Sequence, residues 1–534
     1  MSDGSTEGRE DRASENQNQS HRPSLSPGTL GLLVVAVLLA RVVVWMQSDL
    51  WYDEVVTLAE FAIGGEGTGI SRVFRHYPIA NNHMVFSAIA WVWVRLVGFT
   101  LVEPVLRAPS LVCAVLAVVC VWRLWGKSLG QRVAVFAALS LAASPVLSPL
   151  FYQFRGYSLS ILLAVLATAG AHELSRGELR RGAWLSILPC LLLPLVIPSN
   201  VLLVAALALY VLLARAGSAG ARLKAGMICG VPGLLGASYY LTIWPQFIQV
   251  MKQTAGWSSG WLVAGHLLLA LVAHLGPVCI VLAACLFGRS QLVGQARRER
   301  RDAVAMVAAC SLGVVLGILS SRSAPFPRVF AVFFVPLGWA AFRLCRQAPF
   351  WQSRSPLLAG GTILICAFAW ERGADLLTRR QVAAGEHPQN LLQQYYRGDS
   401  ELGGLVAELR RRELTDSVMV LTNAHDFRTL DFYWRSRGLP TAAADPERGP
   451  GLRRVVATND NDRVALCREA TQRDLRLLAL AHSEEGAARI FGECEQIGQI
   501  EKVLTLGSRA LYALVPSGRN VGGPPPPQDS RLQL

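Results

Sequence analysis

The stretch Ser48-Asp49-Leu50-Trp51-Tyr52-Asp53-Glu54 sets two adjacent carboxylates beside two aromatic rings, directly after a hydrophobic run. A carboxylate at an aqueous boundary can take a proton from a hydroxyl. Two neighbouring acids raise each other's pKa by like-charge repulsion, which suits a base working near neutral pH. Consecutive side chains leave a helix or strand on different faces, so both acids reach one site only from irregular backbone, as expected just past a helix end. Asp53 is the candidate base. Glu54 is a candidate to orient it, bind the second reactant or help position a divalent cation. The structural alternative is a span exit with interfacial Trp and Tyr.

Candidate partners for a departing phosphate are cations at other span ends. Arg155 stands in Phe151-Tyr152-Gln153-Phe154-Arg155-Gly156-Tyr157. Lys252 lies in an amphipathic loop at 244–261, and Arg322 and Arg328 lie in Ser321-Arg322-Ser323-Ala324-Pro325-Phe326-Pro327-Arg328. Arginine's planar donors suit phosphate, and fixed positive charge stabilises negative charge that develops on a leaving group. The structural alternatives are interfacial anchoring and snorkelling. His76 and His83 flank Asn81 and Asn82, and Pro78 interrupts any continuous helix through both histidines. This spacing does not make a metal site. Hydrogen bonding to a phosphate or acceptor fits His76, Asn82 and His83 better, with helix capping as the alternative for the asparagines.

The elements that position these groups are membrane spans. The 534 residues are 52% hydrophobic and 16% charged, with mean hydropathy +0.36, the profile of a polytopic membrane protein. Apolar runs fall at 28–46, 108–125, 133–150, 159–174, 184–197, 201–213, 226–243, 261–287, 304–320, 329–345 and 357–370. The formal charge of +14 comes mostly from short Lys and Arg clusters between these runs, so it reports topology rather than nucleic-acid binding. Residues 1–27 are polar and read as a disordered cytoplasmic tail.

An apolar piece at 83–98 decides the orientation of everything after it. It is short of the ~20 residues a crossing needs. If it stays at the membrane surface, every strongly basic connector falls on the side of the N-terminus, as the positive-inside rule asks. The result is about eleven spans plus juxtamembrane helices, with the N-terminus inside and the C-terminus outside. Basic clusters at both ends of 184–213 make Pro198-Ser199-Asn200 a tight external turn between two short helices. Acids and cations then gather on the external face.

Four regions follow: the tail 1–27, a membrane domain 28–372, a soluble domain 373–518 and a disordered tail 519–534. Short apolar runs at 417–421, 454–457 and 475–481 read as buried strands alternating with helices, an external α/β domain of roughly 140 residues. Of 11 cysteines, nine lie in or beside apolar spans, and Cys467 and Cys494 belong to the soluble domain, either paired or as separate buried thiols.

The order of Asp53-Glu54 after the first span, a His-containing loop before an apolar segment, Leu106-Arg107-Ala108-Pro109-Ser110 opening the next span and Arg155-Gly156-Tyr157 after the following one resembles a known family. It is similar to the bacterial GT-C glycosyltransferases related to protein O-mannosyltransferases and the lipid A aminoarabinose transferase. The resemblance is closest over 28–174 and looser to 370, where Pro327-Arg328 and the span layout agree. It implies a polyprenyl-phosphate-linked sugar donor, an external active site, Asp53 at the catalytic acid position with Glu54 in the site, and Arg155 and Arg328 as phosphate ligands. Tyr157 completes the family's Arg-x-Tyr element as a substrate-binding candidate. Many relatives carry His-Pro-Pro where this chain has Asn81-Asn82-His83, so acceptor recognition does not carry over.

The expected protein is therefore a multi-pass glycosyltransferase of the bacterial cytoplasmic (inner) membrane. It moves a sugar to an envelope lipid, polysaccharide or protein hydroxyl among membrane lipids, with no assigned metal or other cofactor. A lipid or solute transporter or flippase is the main alternative, and it predicts internal repeats and mid-span charges. An inactive scaffold is another.

Overall fold

The computed structural model describes residues 27–63, 69–77, 82–98, 102–253, 264–265, 267–276, 295–320, 327–346, 356–383, 402–412, 418–422, 424–436, 451–454, 476–481, 484–492, 498–506 and 509–516. The N-terminal tail before 27, Asn81, Arg322, Cys467, Cys494 and the C-terminal tail lie outside these residues.

Where no water can satisfy backbone polar groups, a chain must satisfy them internally, and apolar runs therefore fold as helices. Among the described residues six helical stretches are long and apolar enough to cross a membrane: Gly28–Met46, Glu103–Leu129, Tyr157–Arg176, Leu179–Val196, Ala219–Lys252 and Arg298–Leu319. Shorter apolar helices run over Met84–Val97, Gln131–Ala143, Pro198–Ala214 and Leu267–Gly276. In the Pro27–Met46 helix, Val34, Leu38 and Val42 are buried while Leu32, Leu33 and Val44 face outward. Tyr157–Arg176 is the most enclosed of the six. It packs against the Leu179–Val196 and Glu103–Leu129 helices and lies at the centre of the bundle.

Several boundaries differ from the apolar runs. The run at 133–150 breaks at Ser144 into the Gln131–Ala143 and Ser148–Tyr152 helices, because Pro145 cannot continue the backbone ladder, while Pro149 sits in the first turn of the second helix, where no ladder N–H is needed. The run at 329–345 starts as a 3-10 helix, Pro327–Phe333, before the α-helix Phe334–Cys345. The helix opened at Pro356 continues to Ala383, past the expected boundary at 372. At 184–213 the chain turns through a single 3-10 turn, Pro198–Asn200. Asn200 fastens that turn by donating from Nδ2 to Ser160 Oγ (3.0 Å) and Leu193 O (3.1 Å). Gly177, at φ +100°, ends the central helix in the left-handed conformation that a glycine adopts without a Cβ clash.

The C-terminal residues form a five-stranded sheet in the order β2-β1-β3-β5-β4. β1 (Val418–Thr422) runs parallel to β2 (Gly451–Arg454) and to β3 (Arg476–Ala481). β5 (Arg509–Pro516) is antiparallel to both β3 and β4 (Gly498–Leu506). Five consecutive buried residues in β3 explain its unbroken apolar run, since both faces of that strand are covered.

Candidate active site

The Asp53 segment begins where the first long helix ends. Trp51 is extended, and the one-turn helix Tyr52–Val56 passes into a π-helical stretch, Thr57–Ile63. This irregular backbone buries both Asp53 and Glu54 but sends them to different partners.

Glu54 faces Arg107. Arg107 donates from Nε to Oε1 (2.9 Å) and from Nη2 to Oε2 (2.6 Å), a two-pronged ion pair. The same carboxylate accepts the Trp51 N–H (2.9 Å) and the Phe154 N–H (2.5 Å). Arg107 also donates to the Met46 (3.0 Å), Ser48 (2.6 Å) and Asp49 (2.9 Å) carbonyls. Together they fasten the end of the first span, the Asp53 helix and the turn at Phe154. Arg107 was read only as part of a motif opening a span. A guanidinium directly at the opening of an apolar run must find an acid, and that is the available signal.

Asp53 faces the cations from the other span ends. Arg328 Nη2 donates to Oδ2 at 2.7 Å. Arg155 Nη1 lies 3.8 Å from the same oxygen and donates to the Asp53 carbonyl at 2.9 Å. Arg328 stacks over the Trp51 ring, 4.4 Å from its centroid, so the aromatic residue beside the acids shields this ion pair. Arg155 Nε is buried without a hydrogen-bond partner. Among the described residues the site thus holds the guanidiniums of Arg107, Arg155 and Arg328 against two carboxylates.

His83 closes the other side of Arg155. Its Nδ1 accepts the Gly156 N–H at 2.8 Å, and its Nε2 lies 3.1 Å from Arg155 Nη2. An imidazole that accepts at Nδ1 carries its proton on Nε2, so two donors face each other here. Burial, then Arg155 and Arg328, hold the His83 pKa well below its ordinary value, and the ring stays neutral. Gly156 permits this approach, since a Cβ there would stand 2.5 Å from Val196 Cγ1 and 2.8 Å from His83 Nδ1. Tyr157 meets His83 edge-on at 5.1 Å between centroids and lies under both Arg155 and Arg328.

The remaining candidates lie elsewhere. Asn82 donates from Nδ2 to Val73 O (3.0 Å) and His76 O (3.2 Å) and accepts from Ser87 Oγ (3.1 Å), which ties its loop together. His76 is half-buried at the end of the Ser71–Arg75 helix and makes no described contact with Asp53. Lys252 is exposed in the last turn of the Trp244–Gln253 helix, whose Phe247 packs with Tyr77 and Tyr240 in a separate aromatic cluster.

Fold and site together define a polytopic membrane protein with a buried acid–guanidinium centre where its spans end. No family model and no curated protein matches the chain. Among solved structures it is similar to ArnT from Cupriavidus metallidurans in the apo state, at 15% identity and TM-score 0.50, over 91% of this chain and 97% of that one. ArnT from Cupriavidus metallidurans bound to undecaprenyl phosphate aligns at 15% identity and TM-score 0.48, over 91% and 98% of the two chains. At this identity the likeness to the apo structure is one of fold. The chain has the polytopic architecture of ArnT, the GT-C type that the sequence resemblance implied.

Proposed function

We propose that this protein transfers a sugar from a polyprenyl phosphate to an envelope acceptor, with the N-terminus inside a bacterial cytoplasmic membrane and the site and C-terminal domain outside. The observation that carries this reading is the Asp53 carboxylate held between Arg328 and Arg155, three side chains from distant parts of the chain meeting where the spans end. One carboxylate beside two guanidiniums matches a reaction that needs a base for a hydroxyl and positive charge for a departing phosphate.

The Asp53 carboxylate engages the same arginines that the donor phosphate would use. The arriving phosphate competes for Arg155 and Arg328, and an oxygen placed to accept from both Arg155 Nη2 and His83 Nε2 relieves the opposed donors. Asp53, released from its ion pair, then accepts the acceptor's hydroxyl proton. The acceptor oxygen bonds to the anomeric carbon on the face opposite the breaking carbon–oxygen bond, so configuration inverts. The electron pair of that bond leaves with the polyprenyl phosphate, which gains one negative charge beside the two guanidiniums. Glu54, with four donors already on its carboxylate, positions Asp53 through the backbone rather than exchanging a proton. Lys252, exposed on its amphipathic helix, is assigned to the lipid headgroup zone.

The test is transfer of radiolabelled sugar from a panel of polyprenyl-phosphate donors in membranes containing wild type or Asp53→Asn, with extraction into lipid, polysaccharide and protein fractions. Label should move only with the carboxylate present, and the fraction that receives it identifies the acceptor class. Undiminished transfer by a correctly inserted Asp53→Asn protein would remove the mechanism.

A further inference from the structure

The soluble domain grips the Asp53 segment on both sides. The helix Ala424–Ser436 packs directly on the Tyr52–Val56 helix. Its Tyr433 is fully buried, and the Tyr433 hydroxyl accepts the Leu50 N–H and donates to Glu103 Oε1 at 3.3 Å. Five residues earlier, Arg428 lies near the Tyr52 hydroxyl and 3.8 Å from Glu60 Oε1, beyond the other end of the Asp53 helix. The helix Leu402–Arg411 adds a third tie, because Gly404 N–H donates to Asp49 Oδ2 at 3.0 Å. This contact needs a glycine at the neighbouring position. A Cβ on Gly403 would come within 2.7 Å of Asp49 Oδ1 and 2.8 Å of the Tyr433 ring.

These ties act on the same few residues that Arg107 holds from inside the membrane domain. Arg107 takes the Met46, Ser48 and Asp49 carbonyls, and the soluble domain takes the Asp49 carboxylate and the Leu50 N–H. The backbone entering the Asp53 helix is therefore clamped between the two domains. An ångström of drift in a reacting group costs about a hundredfold in rate, so a clamp this close to the base has a catalytic consequence.

We propose that Tyr433 is a positioning residue for Asp53, and that the C-terminal domain is a working part of the active site rather than an appended module. The catalytic half of this proposal rests on the transferase reading above; the clamp itself does not.

The experiment uses the full-length protein in membranes and compares wild type, Tyr433→Phe and, as a control on the exposed face of the same domain, Arg489→Ala. Tyr433→Phe keeps the ring and deletes only the hydroxyl. Amide exchange over 48–54 should accelerate about tenfold, and kcat should fall about tenfold or more with KM for the donor within about twofold. Arg489→Ala should change neither. If Tyr433→Phe compromises insertion, Asp49→Ala, which removes the acceptor of the Gly404 N–H, supplies the same two readouts. An active wild type whose exchange and kcat both survive Tyr433→Phe would overturn the proposal, as would a fall in activity carried entirely by KM. A wild type that transfers nothing, while Tyr433→Phe still accelerates exchange, would overturn the transferase reading and leave the clamp standing.

Discussion

The central helix Tyr157–Arg176 has a buried ionic cluster at each end, and the two are built on different charge arithmetic. At its start, Arg155 and Arg328 share the single carboxylate of Asp53. Near its end, Arg343 lies 3.7 Å from Glu299 and 3.9 Å from Asp302, while Arg346 lies 3.1 Å from Glu299. Arg343 and Arg346 both donate to the Ser128 carbonyl, and Trp339 Nε1 donates to Ser128 Oγ at 3.2 Å. Residues 328 and 343 are fifteen positions apart on one segment, so the clusters stand more than ~20 Å from each other. Where cations and acids balance, the cluster fastens helices together. Where two guanidiniums share one carboxylate, cations outnumber acids, and on the proposed reading that surplus positive charge is what takes an anion.

The contrast makes opposite predictions for the two arginine sets. Arg155→Lys keeps the charge but loses the planar fork that reaches both the Asp53 carbonyl and His83, so transfer should fall about hundredfold with insertion intact. Steady-state assay of the purified protein checks this, and a loss below about threefold would exclude Arg155 from the phosphate site. Arg343→Met should do the reverse. It takes the ion-pair partner from buried Asp302 while Arg346 keeps Glu299, a cost of up to about 3–5 kcal/mol in stability, while turnover per folded molecule stays at the wild-type level. Thermal unfolding in detergent beside single-turnover assays separates the effects. A catalytic defect at full stability would mean that the inner cluster also takes part in turnover.

Much of this organisation was readable from residue order. Basic connectors placed Asp53, His83, Arg155 and Arg328 on one face, and the structure brings those four side chains into one cluster. What could not be read is the division of labour between the adjacent acids. Glu54 is saturated partly by the Trp51 and Phe154 backbone N–H groups, which no sequence pattern displays. Lys252 and His76 carry suitable chemistry, but their positions depend on how an aromatic cluster seats their helices. In the C-terminal sheet the apolar runs of β1 and β3, two interior strands, were legible. β4 and β5 were not read as strands: β4, at the sheet edge, carries Gln499, Glu501 and Lys502 and a register shift between Lys502 and Leu504, whereas β5 is an apolar interior strand that the pattern offered and that was passed over. β2 is described over Gly451–Arg454, starting ahead of the expected 454–457, of which 455–457 lie outside the described residues.

His83 offers the smallest effect and the sharpest view of the anion site. Burial and two neighbouring guanidiniums keep its pKa well below 6.5 in the folded protein, whereas the unfolded chain titrates near that value. Below about pH 6.5 the unfolded state binds the extra proton, so His83 makes stability fall with acidification, by at most ~1.4 kcal/mol per pH unit. Above that pH it contributes no slope. His83→Gln should therefore flatten the difference in thermal midpoint between pH 7.5 and pH 5.5. A bound polyprenyl phosphate should flatten it too in wild type, because negative charge beside the ring favours its protonated form. If phosphate flattens the wild-type profile and leaves that of His83→Gln unchanged, the anion sits beside this ring. If it leaves both unchanged, the outer cluster is a fastening like the inner one, and the distinction between the two ends of the helix disappears.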